Sequence, residues 1–222
     1  MFPNDYFSPE DQGPEREEPE KTGPRRFFGL LLTESGALLK LNLLFLLTSI
    51  PLVTIPPAAL ALSRVVRGLL DDKPGRAYAY WAEFKRCWVP GWGAFLLTAV
   101  PLFSSGYGMI FYMSYAGTNW MAFVPFVICT TVFLTVMQGT TYLWGLLALG
   151  RGLSLETVRL ALALGLGKPL RGGLAAAAWY LPLAAAVLFF PLSMTYLLLL
   201  GFSVPCLLSH FYLRTVLRAL PD

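Results

Sequence analysis

The side chains in this sequence that could perform covalent or acid–base chemistry are few and scattered. Cys87, Cys129 and Cys206 stand far apart, and no pair has the spacing of a metal or redox site. Two of them fall inside apolar segments, where a thiol serves as a small packing group. His210 is the only histidine, and one histidine does not assemble a zinc site. Glu34, Asp71, Asp72, Glu83 and Glu156 are the carboxylates nearest the apolar segments, and no two are placed for general acid–base work. Ser104, Ser105 and Ser203 have no histidine close by in sequence. The expectation is a protein that is not an enzyme, with no catalytic residues, no metal and no cofactor.

A second polar set lies within apolar sequence. Asn42, Thr48, Ser49 and Thr54 belong to the first apolar segment, and Thr130, Thr131, Thr135, Gln138, Thr140 and Thr141 to a later one. Polar groups at membrane depth either mark a solute path or bond neighbouring helices, the latter for roughly 0.6–2 kcal/mol per contact. None of these side chains is charged, which argues against a proton- or sodium-coupled carrier. Thr131, Thr135 and Gln138 share a face at helical spacing and are expected to point into the bundle.

The elements carrying these residues follow from charge and hydropathy. The 222 residues are 56% hydrophobic and 14% charged, with a mean hydropathy of +0.59. No Asp, Glu, Lys or Arg occurs between Arg86 and Arg151, nor between Arg171 and Arg214. Each gap holds two apolar spans of about 20 residues, the length that crosses roughly 30 Å of hydrocarbon. A water-soluble fold needs charge at its surface throughout. The fold class is therefore all-α, a polytopic transmembrane helix bundle of about five spans, at about 36–55, 89–113, 120–149, 172–192 and 193–213. Residues 25–222 form one membrane domain. Residues 1–24, acidic with prolines at 9, 14, 19 and 24, read as a disordered tail.

Lys and Arg alternate between the loops. Arg64, Arg67, Lys73, Arg76, Lys85 and Arg86 lie in one, and Arg151, Arg159, Lys168 and Arg171 in another, while the intervening short connections have none. That places both basic loops and the C-terminus in the cytoplasm of a cell (plasma) membrane protein, and by parity the N-terminus outside. Basic residues beside spans face anionic lipid, so the partner they imply is the bilayer and not nucleic acid.

Both basic loops carry helical apolar stripes. Leu62, Val65, Val66 and Leu69 form one, and Leu155, Val158 and Leu162 another behind the capping Ser154. They are expected to be amphipathic helices lying on the cytoplasmic interface. Before the first of them come Pro51, Pro56 and Pro57. Pro51 removes a backbone donor, Ser49 and Thr54 can bond the freed carbonyls, and Pro56 and Pro57 are expected to end the first span at a corner.

Two stretches together carry a resemblance. "LKLNLLFLLTSIPLVTIPPAALALSRVV" is similar to the opening signature of the YesL-like membrane proteins, a family of unknown function, through Asn42, Pro51, Thr54, Ile55, Pro57 and Ala58. Pro56 stands where that family usually has Gly. "WAEFKRCWVPGWGAFLL" resembles the second signature, led by Phe84 and Lys85. The resemblance implies about five spans and an accessory or scaffolding role beside a sugar importer, through contact with its subunits or self-association, and assigns no catalytic residue. The alternative is a small-solute transporter or channel with a polar path through the first and third spans. Asn42, Pro51, Thr54, Pro56, Pro57, Phe84, Lys85 and Gln138 are the candidate site residues, and Trp81, Trp88 and Trp92 are candidate interfacial anchors.

Overall fold

The computed structural model describes residues 24–71, 73, 75–116, 119–217 and 219. The tail expected over 1–24 lies outside them except for Pro24. Every regular element among the described residues is helical: α1 Pro24–Thr33, α2 Ser35–Thr48, α3 Ile55–Leu70, α4 Ala77–Arg86, α5 Trp88–Ala116, α6 Phe123–Ala148, α7 Leu155–Gly167, α8 Pro169–Leu188, α9 Met194–Leu199 and α10 Ser203–Leu217. Single 3₁₀ turns at Leu52–Thr54 and Trp120–Ala122 lead into α3 and α6.

Four stretches are long and apolar enough to cross a membrane: Leu52–Leu70, Trp88–Tyr115, Trp120–Ala148 and Pro169–Leu188. A fifth is made by α1 and α2 if that pair, bent by 75°, counts as one span. The chain is a multi-pass membrane protein. With the bent pair the total reaches the expected five, but its membership differs: Leu52–Leu70 enters the set and 193–213 leaves it. The span expected over 36–55 stops at Thr48, because Pro51 takes an extended conformation and helix resumes only at Ile55. The span expected over 193–213 is broken into α9 and α10, neither of which can cross alone.

Helix α3, expected as an amphipathic helix on the cytoplasmic interface, is covered by its neighbours. Ala58, Leu60, Ala61, Leu62, Val65, Val66, Leu69 and Leu70 are all buried, so the helix is enclosed on most of its circumference. The stripe at Leu62–Leu69 is real, but Leu60, Ala61 and Leu70 make the neighbouring faces apolar as well. Such a helix belongs inside a bundle. Nor do Pro56 and Pro57 end a helix. They sit in the first turn of α3, where the backbone N–H groups have no helical acceptor and a proline sacrifices nothing.

Helix ends gather around α3. The start of α5 meets its first turn through Gly91, where an added Cβ would lie 2.9 Å from Pro57 Cα and 3.0 Å from Pro56 O. Arg64 of α3 donates to Leu147 O at the end of α6 (3.1 Å) and pairs with Glu83 of α4 (2.8 Å). Asp71 is within 3.5 Å of Arg67 and 3.9 Å of Arg214 from α10. This is the basic end of the bundle.

Helix α7, expected on the cytoplasmic interface, packs against the second half of α6. Its buried face is Thr157, Ala161 and Gly165, while Leu155 and Leu162 are exposed. Small residues win this face because they let the backbones close up: a Cβ at Gly165 would stand 3.2 Å from Gly139 N.

Candidate functional site

Two features concentrate the polar chemistry of the apolar region. The first is the break between α9 and α10, held by one side chain from the other end of the chain. Asn42 of α2 is fully buried. Its Nδ2 donates to Leu197 O (2.9 Å) and Leu198 O (2.8 Å), the free carbonyls at the end of α9. Its Oδ1 accepts from Phe202 N (2.9 Å) and Ser203 N (3.2 Å), the free amides at the start of α10. A primary amide has two donors and a carbonyl oxygen, which is what an interrupted helix lacks on its two sides. Gly201 lets the chain turn there, since a Cβ would come within 2.5 Å of Leu197 Cα.

The corner below α2 is built similarly. Thr48 Oγ1 meets the Tyr80 hydroxyl at 2.6 Å and bonds back to Leu44 O at 2.8 Å. Thr54 Oγ1 donates to Pro51 O (2.5 Å) and to Thr48 O. Thr54 thus satisfies the freed carbonyls, whereas buried Ser49 Oγ has no hydrogen-bond partner among the described residues. Burial pushes the Tyr80 hydroxyl up to about 12, against the lowering effect of the Thr48 bond. Burial likewise pushes the Cys87 thiol up to about 11, with the Arg64 guanidinium pulling it down and Glu83 raising it.

The second feature is a cavity of about 820 Å³ bounded by five helices. Ser63 comes from α3 and Thr98 from α5; Thr140 and Thr141 come from α6; Ser209 and His210 come from α10. Thr98 is ten residues into α5, Thr140 eight before the end of α6, and His210 seven before the end of α10. At 1.5 Å per residue these groups form one tier, roughly 10–15 Å in from the basic end. Trp144, Trp179 and Tyr180 add aromatic wall, and Phe103, Tyr107 and Ile110 of α5 continue it away from that end. These last three are 78%, 73% and 67% exposed, so they stand at a mouth that opens sideways among lipid-facing side chains.

The threonines are half committed. Thr98 Oγ1 donates to Ala94 O (2.8 Å), Thr140 Oγ1 to Val136 O (2.8 Å) and Thr141 Oγ1 to Met137 O (3.0 Å). Each keeps lone pairs for accepting. Ser63 Oγ and Cys206 Sγ face one another at 3.7 Å. His210 is buried, with Nδ1 lacking a hydrogen-bond partner among the described residues. No group of three or more His, Cys, Asp or Glu side chains among the described residues is arranged to hold a metal ion.

The candidate residues scatter relative to these features. Asn42 is the clamp of the broken helix and lies away from the cavity wall. Pro51 and Thr54 build the corner, and Pro56 and Pro57 receive Gly91. Phe84 stacks at 6.3 Å from Tyr80, and Lys85 is exposed. Gln138 is half-buried beside the α6–α7 crossing, where its carbonyl carbon lies 3.5 Å from a Cβ placed on Gly165. Thr131 is exposed and bonded to Val127 O at 2.9 Å, contrary to the expected inward face. The wall residues Ser63, Cys206, Trp144 and Trp179 escaped sequence reasoning. The signal available was the spacing of Cys206 and His210, one helical turn apart on one face.

An apolar bundle with a buried cavity and a clamped, interrupted helix defines the class. Residues 38–115 match the family model described as protein of unknown function, DUF624. The matched stretch holds Asn42, the proline corner, α3 and nearly all of α5, and leaves α6, α8 and α10 outside it. No curated protein and no solved structure matches the chain.

Proposed function

We propose that this protein binds a small amphipathic molecule inside its helix bundle and presents it or carries it across the bilayer, with no covalent chemistry. The observation that carries the reading is the cavity: five helices contribute, its walls are apolar and aromatic, and one tier of polar groups lies at membrane depth. Ligand sites take this form, mostly apolar with a few convergent polar groups, and bundle interiors are a usual place for them. Transporter sites also sit near the midplane beside interrupted helices. Here the interruption between α9 and α10 is sealed by Asn42, so the first span drops out of the expected polar path, the third span, α6, stays in it, and α5 and α10 join it. The alternation of Lys and Arg orients the basic end toward the cytoplasm of the plasma membrane. The test is thermal unfolding of the full chain in nanodiscs against a panel of amphiphiles. Binding raises the melting temperature in proportion to ln(1 + [ligand]/Kd). A saturable rise for one ligand class is expected, and no rise across the panel overturns the reading.

A second reading is favoured by α4, which exposes Trp81, Lys85 and Arg86 beside exposed Trp88. It makes the protein an accessory subunit of a carbohydrate importer or a self-associating scaffold, in line with the YesL-like resemblance. Mild-detergent purification with identification of co-eluting subunits tests it, and a persistently solitary chain sinks it.

A further inference from the structure

We infer that the molecule seated in the cavity is an uncharged amphiphile whose head both donates and accepts hydrogen bonds, entering sideways from the lipid with its head against the Thr98–Thr140–His210 tier. This rests on the cavity being a ligand site, and specifies what it takes.

The head is uncharged because the wall holds no ionised partner, and aromatic faces alone, which attract cations, do not compensate the burial of one. Among the described residues that line the cavity there is no Asp, Glu, Lys or Arg. The nearby basic groups outside the wall are paired: Arg64 with Glu83 at 2.8 Å, and Arg67 and Arg214 with Asp71 at 3.5 and 3.9 Å. An ion in such a site costs several kcal/mol that no partner offsets. The head must donate, because the threonine hydroxyl hydrogens of the tier are already given to their own helices while the oxygen lone pairs remain. It accepts as well as donates because His210 in the same wall leaves Nδ1 without a hydrogen-bond partner among the described residues, and an imidazole nitrogen does either according to tautomer. Hydroxyl and primary or secondary amide heads do both.

Entry from the bilayer follows from the mouth. Phe103, Tyr107 and Ile110 line the cavity and are also largely exposed, on a helix whose neighbouring exposed residues, Val100 and Met113, are apolar. An alkyl chain extending from the tier toward these side chains would remain in apolar surroundings throughout.

Tryptophan quenching tests this, because Trp144 and Trp179 lie in the wall. The full chain in phosphatidylcholine nanodiscs is titrated with three probes sharing one brominated chain: a glycerol monoester, a carboxylate at pH 8 and a trimethylammonium. The expected result is saturable quenching by the glycerol ester, at least tenfold tighter than by either ion. Thr140→Val and Thr98→Val, each removing one acceptor with little change of shape, are expected to weaken the ester three- to tenfold and leave the unfolding temperature nearly unchanged. An ionic probe binding as tightly as the ester overturns the uncharged head while the cavity remains a ligand site. Saturable binding untouched by both substitutions overturns the tier as the seat. Linear, non-saturable quenching by all three probes removes the ligand site itself.

Discussion

Replacing Asn42 with leucine tests whether one amide holds the last helix together. Leucine copies asparagine's branching with bulkier methyl groups, so the effect combines the hydrogen bonds lost with some crowding, and no cavity is gained. Four backbone groups lose their partner: Leu197 O, Leu198 O, Phe202 N and Ser203 N. A hydrogen bond in a folded protein contributes about 0.5–1.5 kcal/mol net, and polar contacts between membrane helices average near 0.6. Four of them, taken at about 0.5–1 kcal/mol each as the membrane value indicates, give a loss of about 2–4 kcal/mol. The loss falls first on the break, whose amides have no other acceptor in lipid. Hydrogen exchange of the Phe202 and Ser203 amides is the direct assay, read by mass spectrometry on peptides spanning 197–206. At roughly 1.4 kcal/mol per tenfold, exchange there accelerates about 30- to 700-fold, while α6 peptides change far less. Asn42→Asp serves as a comparison: it keeps an acceptor for Phe202 and Ser203 but faces the two α9 carbonyls without donors. It is expected to be at least as damaging. Unfolding of Asn42→Leu within 0.5 kcal/mol of wild type, with unchanged exchange at 202–203, refutes the clamp.

Gly91→Ala is expected to destabilise by about 1–3 kcal/mol, because the new Cβ meets the backbone of Pro56 and Pro57 at 2.9–3.0 Å and neither segment can yield. Gly173→Ala on α8, with nothing within 4 Å, is expected to be neutral or stabilising by up to ~1 kcal/mol; equal melting temperatures for the two variants would remove the close contact as an explanation. Gly172→Ala drives a Cβ to 2.7 Å from the Tyr142 ring, so it is expected to be harmful alone and milder when combined with Tyr142→Leu, a coupling read from a double-mutant cycle. Cys87 supplies the pH prediction. Its thiol is raised from 9.0 to about 11, so at pH 8 its thiolate is roughly a hundredfold scarcer than in the unfolded chain, and alkylation of the folded protein rises tenfold per pH unit until pH 11. With the folded values of both Cys87 and Tyr80 raised, their contribution to stability is complete below pH 9 and is lost as pH climbs through 11–12. Equal labelling rates at pH 8 for folded and denatured protein count against that burial.

The class of the fold was legible from charge alone, since two long charge-free runs leave no other solution than apolar helices. Boundaries were legible where local chemistry decides them, as at Ser154, which caps α7 by accepting from Thr157 N at 3.1 Å. They were not legible where a distant residue decides them. In "YLLLLGFSVPC" Gly201 and Pro205 hint at a break, but what satisfies its backbone groups is a side chain about 160 positions earlier, which no local pattern announces. The depth of α3 was hidden for a related reason: Arg64 and Arg67 look like surface residues until Glu83 and Asp71 are seen to neutralise them. The cavity was the least legible feature, since its wall is assembled from five helices far apart in sequence and no short motif contains them.

The amide of Asn42 also sets an order of assembly. A ribosome delivers α2 long before α10, so the groove that will accept the broken helix exists before that helix enters the membrane. Lacking α2, the segment 193–213 would leave four backbone groups open at its break. The two ends of the polypeptide therefore close the bundle together, and shortening the chain from its beginning reaches the structure of its last helix.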